Sequence, residues 1–255
     1  MTPSPKTMTD RPPIDPKEAE VYQFCGHGLA ARVLPAQCVI VEAPTTDRME
    51  ELLPIEVDIV KNTVASRRRE FSTGRACARV ALSRLGVQPA AIPADEHRAP
   101  VWPDGVIGSL SHTRGHTAVA VAHQTRYASI GLDIEAEGRL DDSLVEMICT
   151  TEEVRSLRRG SMPLSAAALY VFSAKESFYK CQYPLTHRML EFHDVQVELE
   201  LERDRFRVQP LVELPELALE RPVVGRFARC CQLIATGVAL EPIAESRHPR
   251  GVRSA

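Results

Sequence analysis

A chain of 255 residues, 44% of them apolar and 25% charged, is long enough for one large domain or two modest ones with a real core. A formal net charge of −3 argues against bulk nucleic-acid binding while leaving room for a local basic site. No apolar run reaches the roughly 18–20 residues that span a membrane, and the seven scattered cysteines form no Cys-x-x-Cys or zinc spacing, so reduced thiols and a cytoplasmic location are expected.

Residues 1–17 are rich in Pro, Thr and Asp and read as a disordered tail. Tyr22 to Glu42 carries strand-like apolar stretches broken by Gly26, Gly28 and Pro35. From near Pro54 the pattern turns helical. Val60, Val64, Phe71, Ala78, Leu82 and Leu85 fit a 3.6-residue period, and Gly86 closes the run. This helix carries Arg67, Arg68, Arg69, Arg75 and Arg79. Such a run is ordinarily a solvated face, but Arg75, one heptad from Arg68, sets up a cationic stripe able to grip a phosphate. Gln88 to Asp104, with Pro89, Pro93, Pro100 and Pro103, reads as a loop.

Ile107–Leu110 and Thr117–Ala122 read as strands, with Ser111 and His112 in the turn between them. With a phosphorylated ligand, Ser111 and a protonated His112 can both donate to phosphate oxygens. The third strand, Ile130–Glu135, places Asp133 and Glu135 on one face and Leu132 and Ile134 on the other. Two carboxylates on a strand fit for burial need something positive between them. A divalent cation with oxygen preference, Mg²⁺ or Mn²⁺, answers that need. A wet or Arg-paired acidic face answers it equally well on this stretch alone.

Thr150-Thr151-Glu152-Glu153 marks a helix start, with a threonine cap and glutamates against the dipole. A second long helix is expected over Leu164–Cys181, ending before Pro184. Its Glu176 and Lys180 share a face four residues apart, flanked by Lys175. Alone, that is an ordinary surface pair. Joined to Asp133 and Glu135, Glu176 would complete an oxygen-rich set for Mg²⁺, and two lysines beside it would suit a pyrophosphate. Val195–Leu201 and Phe206–Val208 alternate as a hairpin, Val223–Phe227 and Leu233–Leu240 read as closing strands, and residues 244–255 read as a loose tail. The order is α+β without βαβ alternation or a Gly-x-Gly-x-x-Gly turn. Each half offers one long charged helix near strands.

Five segments, taken in order, resemble the enterobactin-type 4'-phosphopantetheinyl transferases, relatives of the surfactin-type enzymes. They are Arg68-Arg69-Glu70-Phe71-x-x-Gly74-Arg75-x-Cys77-Ala78, Ala99-Pro100-Val101-Trp102-Pro103-x-Gly105, Gly108-Ser109-Leu110-Ser111-His112, Gly131-Leu132-Asp133-Ile134-Glu135 and Phe172-Ser173-Ala174-Lys175-Glu176-Ser177-x-Tyr179-Lys180. The resemblance implies two similar α/β halves about a pseudo-twofold axis, 18–115 and 116–243, with coenzyme A between them. It implies transfer of the 4'-phosphopantetheine arm to a serine of an apo acyl, peptidyl or aryl carrier protein, releasing adenosine 3',5'-bisphosphate. Carried over, Asp133, Glu135 and Glu176 would hold Mg²⁺, and Lys175 and Lys180 would contact phosphates. Arg69 and Arg75, with Arg68 in the same stripe, and Ser111 and His112 would hold the nucleotide end. His97-Arg98 stands where some relatives place a Lys or Arg before Pro-x-Trp-Pro. Glu176, or Glu152 near an acidic position of the family, would take the serine proton. The implied protein is a monomer without nucleic-acid or membrane partners, and the carrier's pathway, whether siderophore, polyketide, nonribosomal peptide or fatty acid, stays open. An apolar segment with basic residues, Cys181–Phe192, is the expected carrier dock. Two rivals are another Mg²⁺-dependent nucleotide enzyme, a phosphatase or nucleotidyl transferase, and a non-catalytic binding module.

Overall fold

The computed structural model describes residues 28–242. The tail readings for 1–17 and 244–255, and the start of the Tyr22–Glu42 reading, fall outside the described residues. The elements are β1 Val39–Pro44, α1 Pro54–Val60, α2 Ala65–Leu85, β2 Val106–Thr113, β3 His116–His123, β4 Ser129–Ala136, α3 Asp142–Ile148, α4 Thr151–Leu157, α5 Leu164–Thr186, β5 Val195–Glu200, β6 Arg205–Pro210, β7 Val223–Cys230 and β8 Leu233–Leu240. They form two antiparallel sheets, ordered β1-β3-β2 and β4-β8-β7-β6-β5. The fold is α+β, with α2 packed on the first sheet and α5 on the second.

Period-two alternation explains how the sheets meet. On β3, Val119 and Val121 turn to α2 and pack with Cys77, Ala78, Ala81 and Leu82. The alternate alanines, Ala118, Ala120 and Ala122, turn the other way, against Ile130, Leu132 and Ile134 of β4. Small side chains on one strand and large ones on its neighbour let the two layers close without voids. Where α5 crosses β4, a Cβ at Gly131 would lie 1.8 Å from the Ser177 carbonyl oxygen, so only glycine permits that approach.

The sheets are also joined edge to edge. The Ser109, Ser111 and Thr113 hydroxyls of β2 accept from the backbone N–H of Leu132, Ile134 and Ala136 on β4, at 2.9, 3.1 and 3.1 Å. Every second residue of one strand thereby satisfies an N–H of the other that no strand pairs.

Several expectations need correction. The single helix from Pro54 to Leu85 is two, α1 and α2. The chain breaks at residues 61–64, where the Thr63 hydroxyl bonds the Val60 carbonyl and Val64 is 71% exposed instead of inward. Ser111 and His112 lie within β2, not in a turn, because β2 pairs with β3 through Thr113↔His116 and turns only at Arg114-Gly115. The boundary expected after Gly115 therefore falls inside the β2–β3 hairpin, and the chain passes between sheets at residues 124–128. Helix α5 runs past Pro184 to Thr186 and is capped by His187 in the left-handed region. Pro184 has no N–H to donate to the Lys180 carbonyl, so the final turn lacks that bond and the helix ends two residues later. Cys38, Cys77, Cys149, Cys181 and Cys230 are free thiols, but Cys231 is disulfide-bonded, so the reduced-thiol reading fails for that residue. No helix among the described residues is long and apolar enough to cross a membrane.

Candidate active site

A cleft of about 730 Å³ opens between the two helix-bearing layers. Helix α2 lines it with Arg67, Glu70, Phe71 and Arg75, and β2 adds Ser111 and His112. From the loop before β2 come His97 and Arg98, while Asp133, Glu135, Glu176 and Lys180 enter from β4 and α5.

Asp133 is the most tightly held of these groups, at 3% exposure. Its Oδ1 accepts from Lys180 Nζ at 2.6 Å and from the Ser111 hydroxyl at 2.9 Å, and its Oδ2 accepts from Ser173 at 2.8 Å. Ser173 in turn meets the Thr236 hydroxyl at 2.9 Å. Burial alone would depress Lys180, but the carboxylates of Asp133, Glu176 and Glu135 outweigh it and its pKa lies above the ordinary lysine value. Glu176 is pushed toward its neutral form. Burial, with Asp133 adding to it, raises its pKa, and Lys180 only partly offsets that.

Ser111 has no hydrogen left for a phosphate. Its one proton goes to Asp133, while its lone pairs accept from Ile134 N and Lys180 Nζ, the latter at 3.1 Å. The expected protonated His112 also needs correction. Burial first, then Arg67 and Lys180, pull its pKa down to about 4. The ring is therefore neutral near pH 7, and its Nε2 faces Arg67 Nη1 at 3.2 Å and the Glu70 carboxylate at 3.6 Å. A histidine pKa held below the ordinary 6.5 means the fold binds fewer protons than the unfolded chain. The stability from neutral His112 is thus complete above the ordinary value and lost as pH falls toward 4. The urea midpoint of the ligand-free protein should drop between pH 7 and pH 5, and His112→Gln should flatten that slope. An unchanged slope would mean His112 does not titrate there.

Arg75 is 5% exposed, and its Nε has no hydrogen-bond partner among the described residues. The guanidinium stacks on Phe71 at 4.2 Å, and burial lowers its pKa to about 10. Arg75 lines the cleft, so its charge is available to an anionic ligand there.

Other predicted residues do not reach the cleft. Lys175 is turned to the far side of α5, 3% exposed, and donates to Glu153 Oε2, Ile148 O and Phe192 O at 2.8, 2.9 and 2.7 Å. Those three bonds use its whole donor capacity. Glu152 is exposed and ion-paired with Arg155, while its neighbour Glu153 is buried in a capping box with Thr150. Arg69 is exposed, and Arg68 reaches back to the Thr63 carbonyl at 3.5 Å. Arg67, which the sequence left on a solvated face, is the arginine of that run that lines the cleft. The signal was the spacing Arg67, Phe71, Arg75, each four residues on, around a buried Phe. Of the expected dock, Tyr183 is buried and does line the cleft, while Arg188 is exposed and bonds the Glu213 carbonyl.

Among the described residues no three His, Cys, Asp or Glu side chains converge closely enough to hold a metal. The Lys180 ammonium instead stands in as the cation against Asp133, Glu135 and Glu176. The donor set of hard carboxylate oxygens around one positive charge fits Mg²⁺ or Mn²⁺ in type.

The sequence model of the "4'-phosphopantetheinyl transferase N-terminal domain" matches residues 55–122, and that of the "4'-phosphopantetheinyl transferase superfamily" matches residues 129–216. The chain is 35% identical over 219 residues to 4'-phosphopantetheinyl transferase Svp of Streptomyces mobaraensis, covering 83% of this chain and 89% of that protein. It is 40% identical over 149 residues to 4'-phosphopantetheinyl transferase Npt of Nocardia iowensis, covering 58% and 67%. Enterobactin synthase component D of Escherichia coli O157:H7 is 34% identical over 151 residues, covering 56% and 70%.

Proposed function

Since the chain belongs to the 4'-phosphopantetheinyl transferase superfamily, we propose that it moves the phosphopantetheine arm of coenzyme A onto a serine hydroxyl of an apo carrier protein, leaving adenosine 3',5'-bisphosphate. One observation carries the reading. The cleft sets the cations Arg67, Arg75 and Arg98 across from Asp133, Glu135, Glu176 and Lys180. A doubly phosphorylated nucleotide needs the first group, and a reacting pyrophosphate needs the second.

In this reading Arg75 takes a phosphate of the nucleotide end, with His97 and Arg98 at the cleft's loop side. His112 accepts from Arg67 and so orients it. Lys180 faces the pyrophosphate and offsets charge on the departing oxygen. Glu176, directly or through a water it holds, takes the serine proton. Glu152 lies outside the cleft and is left out of that role. Asp133, Glu135 and Glu176 would hold Mg²⁺, or Mn²⁺, which supplies charge neutralisation at the pyrophosphate when bound. The protein is read as a cytoplasmic monomer whose first half grips the nucleotide and whose second half carries the catalytic helix.

The test is the intact mass of candidate apo carrier proteins after incubation with coenzyme A, Mg²⁺ and the protein. A phosphopantetheine-sized gain supports transfer. Release of inorganic phosphate from nucleotides without a carrier would favour a phosphatase instead. Arg75→Ala should weaken coenzyme A by about 1.5–3 kcal/mol, the range for hydrogen bonds to charged groups, and weaken 3'-dephospho-coenzyme A less. Equal losses in calorimetric titrations would assign Arg75 to something other than the 3'-phosphate.

A further inference from the structure

Residues 93–101 form a tight loop whose shape depends on one side chain. Asp95 Oδ1 accepts from the N–H of His97 and of Ala99 at 2.9 and 2.8 Å. The Asp95 N–H donates to the Ala99 carbonyl and the Arg98 N–H to the Asp95 carbonyl, at 2.9 and 3.0 Å. A bridge between Ala94 and Pro100 closes the base. This winding forces Arg98 to φ +68°, a left-handed conformation that residues with a side chain rarely adopt. Asp95's two bonds to the loop N–H groups hold that strain in place.

The second carboxylate oxygen of Asp95 points out of the loop. Its Oδ2 accepts from the hydroxyl of Tyr183, on α5, at 3.3 Å. Tyr183 is 4% exposed and sits three residues beyond Lys180 on the same helix. Its ring stacks on Tyr179 at 5.8 Å and meets His97 edge-on at 5.8 Å. The loop that presents Arg98 is therefore tied to the helix that presents Lys180, and both side chains line the same cleft.

We infer that Asp95 and Tyr183 are positioning residues that set Arg98 at a fixed reach from Lys180, so that both cations meet one bound coenzyme A. The inference rests on the coenzyme A reading above. Asp95 shapes the strained loop, and Tyr183 fixes where the loop stands relative to the catalytic helix. In this inference they act through Arg98, although Tyr183 itself also lines the cleft.

A double-mutant cycle by isothermal titration with coenzyme A tests this. Tyr183→Phe keeps the ring and removes only the hydroxyl. It should weaken coenzyme A about fivefold, the scale of one hydrogen bond, with an unchanged urea midpoint. In an Arg98→Ala background the same change should cost nothing further. A loss of equal size in both backgrounds, or no loss in either, would overturn the inference. If Tyr183→Phe does not fold, Asp95→Ala, which removes both the loop bonds and the contact to Tyr183, takes its place in the cycle and should likewise cost nothing further in the Arg98→Ala background. A wild-type protein that binds no coenzyme A would overturn the underlying reading, and this inference with it.

Discussion

Replacing Asp133 by asparagine is expected to lower the transfer rate by about two to three orders of magnitude, the scale of removing one electrostatic group from a preorganised site. The carboxylate accepts three hydrogen bonds, and its closest partner is Lys180 Nζ at 2.6 Å. Asparagine keeps the shape, but its amide nitrogen cannot accept. Either Ser173, or Ser111 and Lys180 together, then lose their acceptor, and Lys180 loses the charge of its closest carboxylate. Removing a charge from a buried pair also carries a stability cost, because the partner stays behind. The rate should be read by intact mass at saturating coenzyme A, beside a urea unfolding curve. A rate within twofold of wild type would remove Asp133 from the reacting centre.

Lys175→Met is expected to act on the fold, not on the chemistry. Its ammonium sits in a dry knot with Glu153, whose carboxylate also accepts from the N–H of Thr150 and of Val197, both at 2.6 Å. The knot ties α4, α5 and β5 together. Removing one partner of such a pair strands the other charge and costs about 3–5 kcal/mol, a large part of a domain's stability. The urea midpoint should fall steeply while the coenzyme A affinity of the folded fraction holds. A variant of normal stability and poor affinity would return Lys175 to the phosphate-contact role that the family resemblance implied.

Much of the site could be read before the fold was known, and the misses have common physical causes. Alternation along Ile130–Glu135 placed Asp133 and Glu135 on one face, as the structure has them, because strand geometry is local. The spacing of Glu176 and Lys180 was likewise legible. What spacing could not reveal is that Lys180 bonds Asp133, a contact between α5 and β4 set by packing. Lys175 was misdirected because adjacent helical residues point about 100° apart, so it could not share a face with both Glu176 and Lys180. The arginine run was ambiguous for the same reason: rotation about α2 sends Arg67 into the cleft and leaves Arg69 in solvent. The polar Ser-His-Thr-Arg-Gly stretch reads as a turn around His112 because composition hides strand pairing that persists to Thr113. The Asp95 loop left no periodic trace at all, since its shape comes from hydrogen bonds within five residues.

The hydroxyls of Ser109, Ser111 and Thr113 have a meaning beyond the joint they make. Strands β2 and β4 are both terminal in their sheets. An open sheet margin invites a foreign strand, and proteins ordinarily blunt it with charge, proline or a bulge. Here two such margins face one another, and side-chain oxygens occupy the positions that an invading backbone would use. The seal works only while both parts of the chain are present. Cut at residues 124–128, the fragment bearing β4 would carry a margin with the N–H groups of Leu132, Ile134 and Ala136 freed, a template for self-association. The enzyme's solubility and the seat of its Asp133 thus depend on the same row of three hydroxyls, so neither half can be lost or redesigned without exposing the other.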